Sequence, residues 1–181
     1  MMFIGYVFLL FTVYLMEAHA CDEPAVCAKN KKLCAVREKF RERCPCTCAA
    51  DISFTECCAK QSFEHEECRE LCSFDTSVKG QRKIKPMALK CFNDLFKVQY
   101  CLSNGYKPYT DCCEKNRITR DTPEKPGCMI FCEGKTPACS KLFDYFHCSS
   151  GEQYVKAMAC ARETHGVQEW KSNFNDVHKC T

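Results

Sequence analysis

Apolar side chains recur along much of this chain at steps of three and four, the spacing that places them on one face of a helix. Met87, Cys91, Leu95, Val98 and Leu102 form one such line, opened by Pro86 at a first helical position and stopped by Asn104-Gly105. Thr136-Pro137 starts a second, carrying Leu142, Phe143, Phe146 and Cys148 as far as Ser149-Ser150-Gly151. Tyr154, Val155, Met158 and Ala159 extend the spacing to Gly166, and Val167, Trp170, Phe174 and Val177 suggest a last helix that closes the domain. Helix signals outnumber strand signals, so the expected class is mainly α. The opening pattern is different. Phe3 to Met16 is one uncharged apolar run, too short to span a bilayer, and Ala18-His19-Ala20 follows it. Residues 1–20 are therefore expected to be a signal peptide that leaves Cys21 as the first mature residue, with no membrane segment after cleavage.

Cysteine placement adds a repeat to this picture. Phe54-Thr55-Glu56-Cys57-Cys58-Ala59-Lys60 recurs as Tyr109-Thr110-Asp111-Cys112-Cys113-Glu114-Lys115. Four more cysteines trail each copy: Cys68, Cys72, Cys91 and Cys101 in the first, Cys128, Cys132, Cys148 and Cys160 in the second. Sulfurs four residues apart, as in Cys68/Cys72 and Cys128/Cys132, share a helix face and can both reach neighbouring elements. Adjacent cysteines point in divergent directions, so each member of a Cys-Cys pair is expected to bind a different partner. Ahead of the repeat, Cys21, Cys27, Cys34, Cys44, Cys46 and Cys48 crowd into residues 21–50. The expected organisation is a short cysteine-rich module at 21–50 and a larger helical domain at 51–181, stapled by disulfides and built on two copies, 54–101 and 109–160. All 20 cysteines follow the proposed cut, an even count in a chain addressed to an oxidising compartment. Disulfides are expected rather than metal thiolates.

The aromatic-x-x-Cys-Cys motifs at Phe54 and Tyr109, the two Cys-x3-Cys pairs and the trailing cysteines together resemble the DB module, a twelve-cysteine domain of secreted nematode proteins. The resemblance implies six disulfides and an extracellular scaffold with no reaction attached. Cys139 and Cys180 lie outside the twelve, and parity makes a bridge between them the simplest pairing. Residues 21–50 more loosely resemble an ShK-type toxin domain, with Cys44-Pro45-Cys46-Thr47-Cys48 narrower than that pattern. This second resemblance implies that Lys39 and Phe40 are a candidate channel-binding pair. Arg37, Glu38, Arg41, Glu42 and Arg43 around them equally describe a solvated basic helix.

Charge and chemistry narrow the function classes. The formal net charge is +3, from 26 Lys and Arg against 23 Asp and Glu, too mild for a nucleic-acid partner. Lys79, Arg82, Lys83 and Lys85 are the one local excess, and read as a solvated loop before Pro86. In secreted phospholipases the Cys-Cys pair precedes a catalytic His by three residues. The matching positions here are Gln61 and Asn116, neither of which can act as an imidazole base. His65 sits among Glu64, Glu66 and Glu67, and the five histidines show no ligand spacing. No enzyme activity, cofactor or metal is expected. The expected function is a secreted, non-catalytic protein that binds an extracellular protein through a rigid helical scaffold. The alternatives are a channel-directed effector acting through residues 21–50, or a structural component of matrix or cuticle.

Overall fold

The computed structural model describes residues 23–165. Helices α1 (Ala25–Lys29), α2 (Glu38–Arg43), α3 (Ala49–Ala59), α4 (Val78–Lys90), α5 (Leu95–Leu102), α6 (Thr110–Lys115), α7 (Met129–Cys132) and α8 (Gly151–Thr164) follow in order. Short 3-10 turns at Lys31–Ala35, Glu66–Leu71, Phe92–Asp94 and Cys139–Ser149 lie between them, and no strand occurs among the described residues. The molecule is mainly α, with a cysteine-rich segment preceding the helical core. The last helical stripe, Val167 to Val177, lies outside the described residues.

The line of apolar residues from Pro86 to Leu102 is not one helix. Its first part starts earlier, because Ser77 caps α4 by accepting a hydrogen bond from the Gly80 amide at 3.1 Å. Lys79, Arg82 and Lys83 consequently lie in a helix rather than a loop, and Pro86 sits inside it, where it only removes one ladder bond near the end. Gly80 is required there, since a Cβ would stand 2.4 Å from the Asp75 carbonyl oxygen. The helix breaks after Lys90. Asp94 turns inward, 1% exposed, where its carboxylate accepts the Glu64 amide at 2.9 Å and pairs with Lys97 at 2.8 Å. Periodicity continues through the break, so it could not reveal a buried carboxylate that holds two loops together. The stop at Asn104-Gly105 is real: Asn104, Gly105 and Tyr106 all take positive φ, at 51°, 79° and 62°. In the second copy, Ser149-Ser150-Gly151 ends the preceding turn as expected. That turn begins at Cys139, not at Thr136-Pro137, and is 3-10 in form.

Each copy is closed by its own three bridges. The first has Cys57–Cys101, Cys58–Cys72 and Cys68–Cys91. The second has Cys112–Cys160, Cys113–Cys132 and Cys128–Cys148, the same order position for position. Closing loops of these lengths stabilises a chain by about 3 to 4 kcal/mol per bridge in the chain-entropy account. In the N-terminal segment Cys27–Cys44 and Cys34–Cys48 make a small cystine core, against which Phe40 and Ile52 pack. Cys46 and Cys139 are disulfide-bonded as well. The Cys139 to Cys180 pairing, like Cys21, falls outside the described residues.

Non-covalent contacts join these pieces. Phe54, Phe74, Tyr109, Met129 and Met158 form the main core with the cystines of both copies. Helix α3 packs on α8, and α4 on the Cys139–Ser149 turn. At the junction Asp51 of α3, 3% exposed, pairs with Arg162 of α8. Arg162 also donates to the Lys31 carbonyl at 3.3 Å and lies over the Phe74 ring at 5.8 Å. It thereby ties the N-terminal segment and both copies to one guanidinium. Removing one partner of a buried pair leaves the other charge unpaired, which costs far more than losing a surface contact. Arg162→Ala is expected to lower unfolding free energy by about 3 kcal/mol in denaturant titration with bridges intact. Lys83→Ala, which breaks the exposed Lys83–Glu70 pair, is expected to change it by less than about 0.5 kcal/mol.

Candidate interaction surface

The residues weighed for catalysis have structural positions. Gln61 is buried, and its Nε2 donates to the Cys57 carbonyl at 3.3 Å. Asn116 is exposed, and its Nδ2 donates to the Cys112 carbonyl at 2.9 Å. Each side-chain amide therefore adds a second donor to a carbonyl in the last turn of the helix that carries its Cys-Cys pair, beside the backbone amide of Lys60 or of Asn116 that the carbonyl already accepts. Sequence reasoning treated the two positions only as the loss of a base. The signal for the cap was present, as an amide three residues after both pairs.

The histidines do not converge. His65 is exposed at the start of the Glu66–Leu71 turn, where Glu66 pairs with Arg69 and Glu67 with Lys90. His147 Nε2 lies 3.4 Å from Cys148 Sγ, and with Cys128 the three form a compact group. Both sulfurs belong to the Cys128–Cys148 bridge, so no thiolate is offered to a metal. His165 lies against Phe54 and Phe74, at ring distances of 5.7 and 5.4 Å. Its Nε2–H donates to the Leu102 carbonyl at 2.9 Å, which leaves Nδ1 as acceptor toward Ser53 Oγ at 3.3 Å.

The other candidate pair divides. Lys39 is exposed on α2, whereas Phe40 is half-buried on the cystine core formed by Cys27, Cys34, Cys44 and Cys48. The aromatic residues of the second copy divide in the same manner. Tyr145 is buried, but Phe143 is 54% exposed. Phe143 stacks on Phe92 of the first copy, with centroids 5.1 Å apart and planes 16° apart, and meets Phe146 edge-on at 5.1 Å. Leu89, one turn before Phe92, is also exposed, as is Val155 on α8. An aromatic row thus crosses from one copy to the other, with Phe143 exposed and Phe92 and Phe146 half-buried.

Geometry of this kind defines a cysteine-rich, disulfide-stapled helical module whose described residues assemble no catalytic set. The chain belongs to the DB-module family: the family model for the DB module matches residues 57–180. The matched span covers both Cys-Cys copies and leaves the N-terminal cysteines outside, so the ShK-type pattern gains nothing from it. No curated protein and no solved structure matches the chain. Among the described residues no helix is long and apolar enough to cross a membrane.

Burial lowers the pKa of His165 from the ordinary imidazole value of 6.5, with the Leu102 hydrogen bond opposing the shift. Below pH 6.5 the unfolded chain binds a proton that the folded chain resists, so this residue costs stability as pH falls toward its folded pKa. Asp51 acts in the opposite sense. Burial raises its carboxyl pKa, Arg162 partly offsets the rise, and the folded state gains from it on acidification. Comparison with a His165→Gln variant separates the two. The native chain is expected to lose more thermal stability between pH 7.5 and 5 than the variant does; equal losses would contradict the assignment.

Proposed function

We propose that this protein is secreted and binds a protein partner outside the cell through the face carrying Phe92, Phe143 and Phe146. The observation that carries the reading is the exposed Phe143 ring, flanked by half-buried Phe92 and Phe146 and held by elements that are themselves pinned: Phe92 follows Cys91, and Phe143 and Phe146 precede Cys148. Stapled elements lose little further freedom on binding, and buried aromatic anchors dominate the energetics of protein interfaces. The apolar run from Phe3 to Met16, the even cysteine count and the family's association with secreted proteins support export.

Channel block through residues 21–50 is the weaker reading. It needs the aromatic neighbour of Lys39 to face a pore, whereas the Phe40 ring is half-buried against its own cystines. A structural role in matrix or cuticle requires only abundance and stability, and leaves the aromatic row without a task.

The test uses the oxidised mature chain as bait at micromolar concentration in native extracellular fluid. A specific protein is expected to be recovered, with capture reduced at least about tenfold for Phe143→Asp, as removal of a central anchor predicts. Recovery of no protein, or of one whose capture ignores Phe143→Asp, would contradict the proposal.

A further inference from the structure

Each of the six bridges of the repeat closes within its own copy, so among the described residues the seam between the copies is held by packing, hydrogen bonds and the Asp51–Arg162 ion pair. On that seam lies a pocket of about 160 Å³, partly open to solvent. Both copies supply its wall: Ala88, Leu95 and Val98 from the first, and Phe131, Leu142 and Ala157 from the second. Among the described residues no charged side chain lines it.

Most polar side chains of the wall have other engagements, the Thr136 and Tyr154 hydroxyls excepted. Gln99 donates to the Phe131 carbonyl at 3.1 Å, and Ser149 to the Phe146 carbonyl at 2.7 Å. Tyr145 gives its hydroxyl to the exposed Asp121 carboxylate at 2.8 Å, leaving its ring in the wall. A charged ligand would lose its hydration here and find no counter-ion, a cost that neutral molecules avoid. Enclosed apolar cavities of about 150 Å³ accept molecules of benzene size, and this pocket offers similar room behind an open mouth. The space exists because α4 and α8 present alanines to it, Ala88 and Ala157, where any larger aliphatic side chain would fill it.

We propose that this pocket is a binding site for a small, uncharged, apolar molecule of about six to ten non-hydrogen atoms. Its position gives binding a structural consequence. A ligand there touches both copies at once, and so strengthens a seam that none of the six bridges of the repeat crosses.

Naphthalene serves as the probe, with 2-naphthoate as its charged counterpart, both titrated into the full oxidised chain and followed by ligand-observed NMR. Naphthalene is expected to bind at one site with a dissociation constant on the order of tens of micromolar, and naphthoate at least about tenfold more weakly. Ala88→Leu and Ala157→Leu, made separately, are each expected to weaken naphthalene binding at least about tenfold while keeping the native circular dichroism spectrum. Should one variant fail to fold, the other decides, and hydrogen exchange on the native chain adds an independent reading. Naphthalene is expected to slow exchange of the Val98, Gln99 and Phe131 amides. Absence of naphthalene binding, equal binding of naphthoate, or affinity unchanged in a folded filling variant would overturn the proposal. None of these outcomes bears on partner capture through Phe143, so the two readings stand or fall separately.

Discussion

Two cysteines side by side at the end of a helix impose the constraint from which the rest of this architecture follows. Successive helical residues point about 100° apart, so two adjacent sulfurs cannot serve the same neighbour. Cys57 reaches α5 through Cys101, while Cys58 reaches the end of the Glu66–Leu71 turn through Cys72. Cys112 and Cys113 repeat this with α8 and α7. One short helix thereby fixes two others, and a third bridge, Cys68–Cys91 or Cys128–Cys148, binds the remaining loop. Helices of four to six residues, such as α6 and α7, are too short to persist alone and hold their form here because of these ties.

Rigidity within each copy contrasts with the seam between them. Core aromatics, the Asp51–Arg162 pair and His165 all meet there, and so does an apolar pocket whose wall both copies share. Cystines have replaced much of the hydrophobic packing inside each copy, which leaves the seam as the place where ordinary side-chain interactions decide the arrangement. The aromatic row of Phe92, Phe143 and Phe146, with Phe143 exposed, crosses the same boundary. Anything that shifts one copy against the other would therefore alter the outer surface as well as the pocket.

Much of this was legible in the order of residues. Repetition of Cys-Cys with its trailing cysteines disclosed the two copies, and helical spacing disclosed the class. The errors have physical causes. Pro86 looked like a helix start because proline favours that position, yet Ser77 supplied a stronger cap nine residues earlier. The break before Asp94 was invisible because apolar periodicity does not register a buried carboxylate with two partners. Gln61 and Asn116 were read for what they could not do, while their backbone-capping role required knowing where each helix ends. Asp51 with Arg162 lie 111 positions apart, and nothing local marks either as a pair.

Disulfide connectivity tests the account at its root. A non-reduced peptide map of the native protein, read by mass spectrometry, should show Cys57–Cys101, Cys58–Cys72 and Cys68–Cys91 in one copy, and Cys112–Cys160, Cys113–Cys132 and Cys128–Cys148 in the other. A linkage joining any of the first six of these cysteines to any of the second six would contradict two self-closed halves meeting at a non-covalent seam.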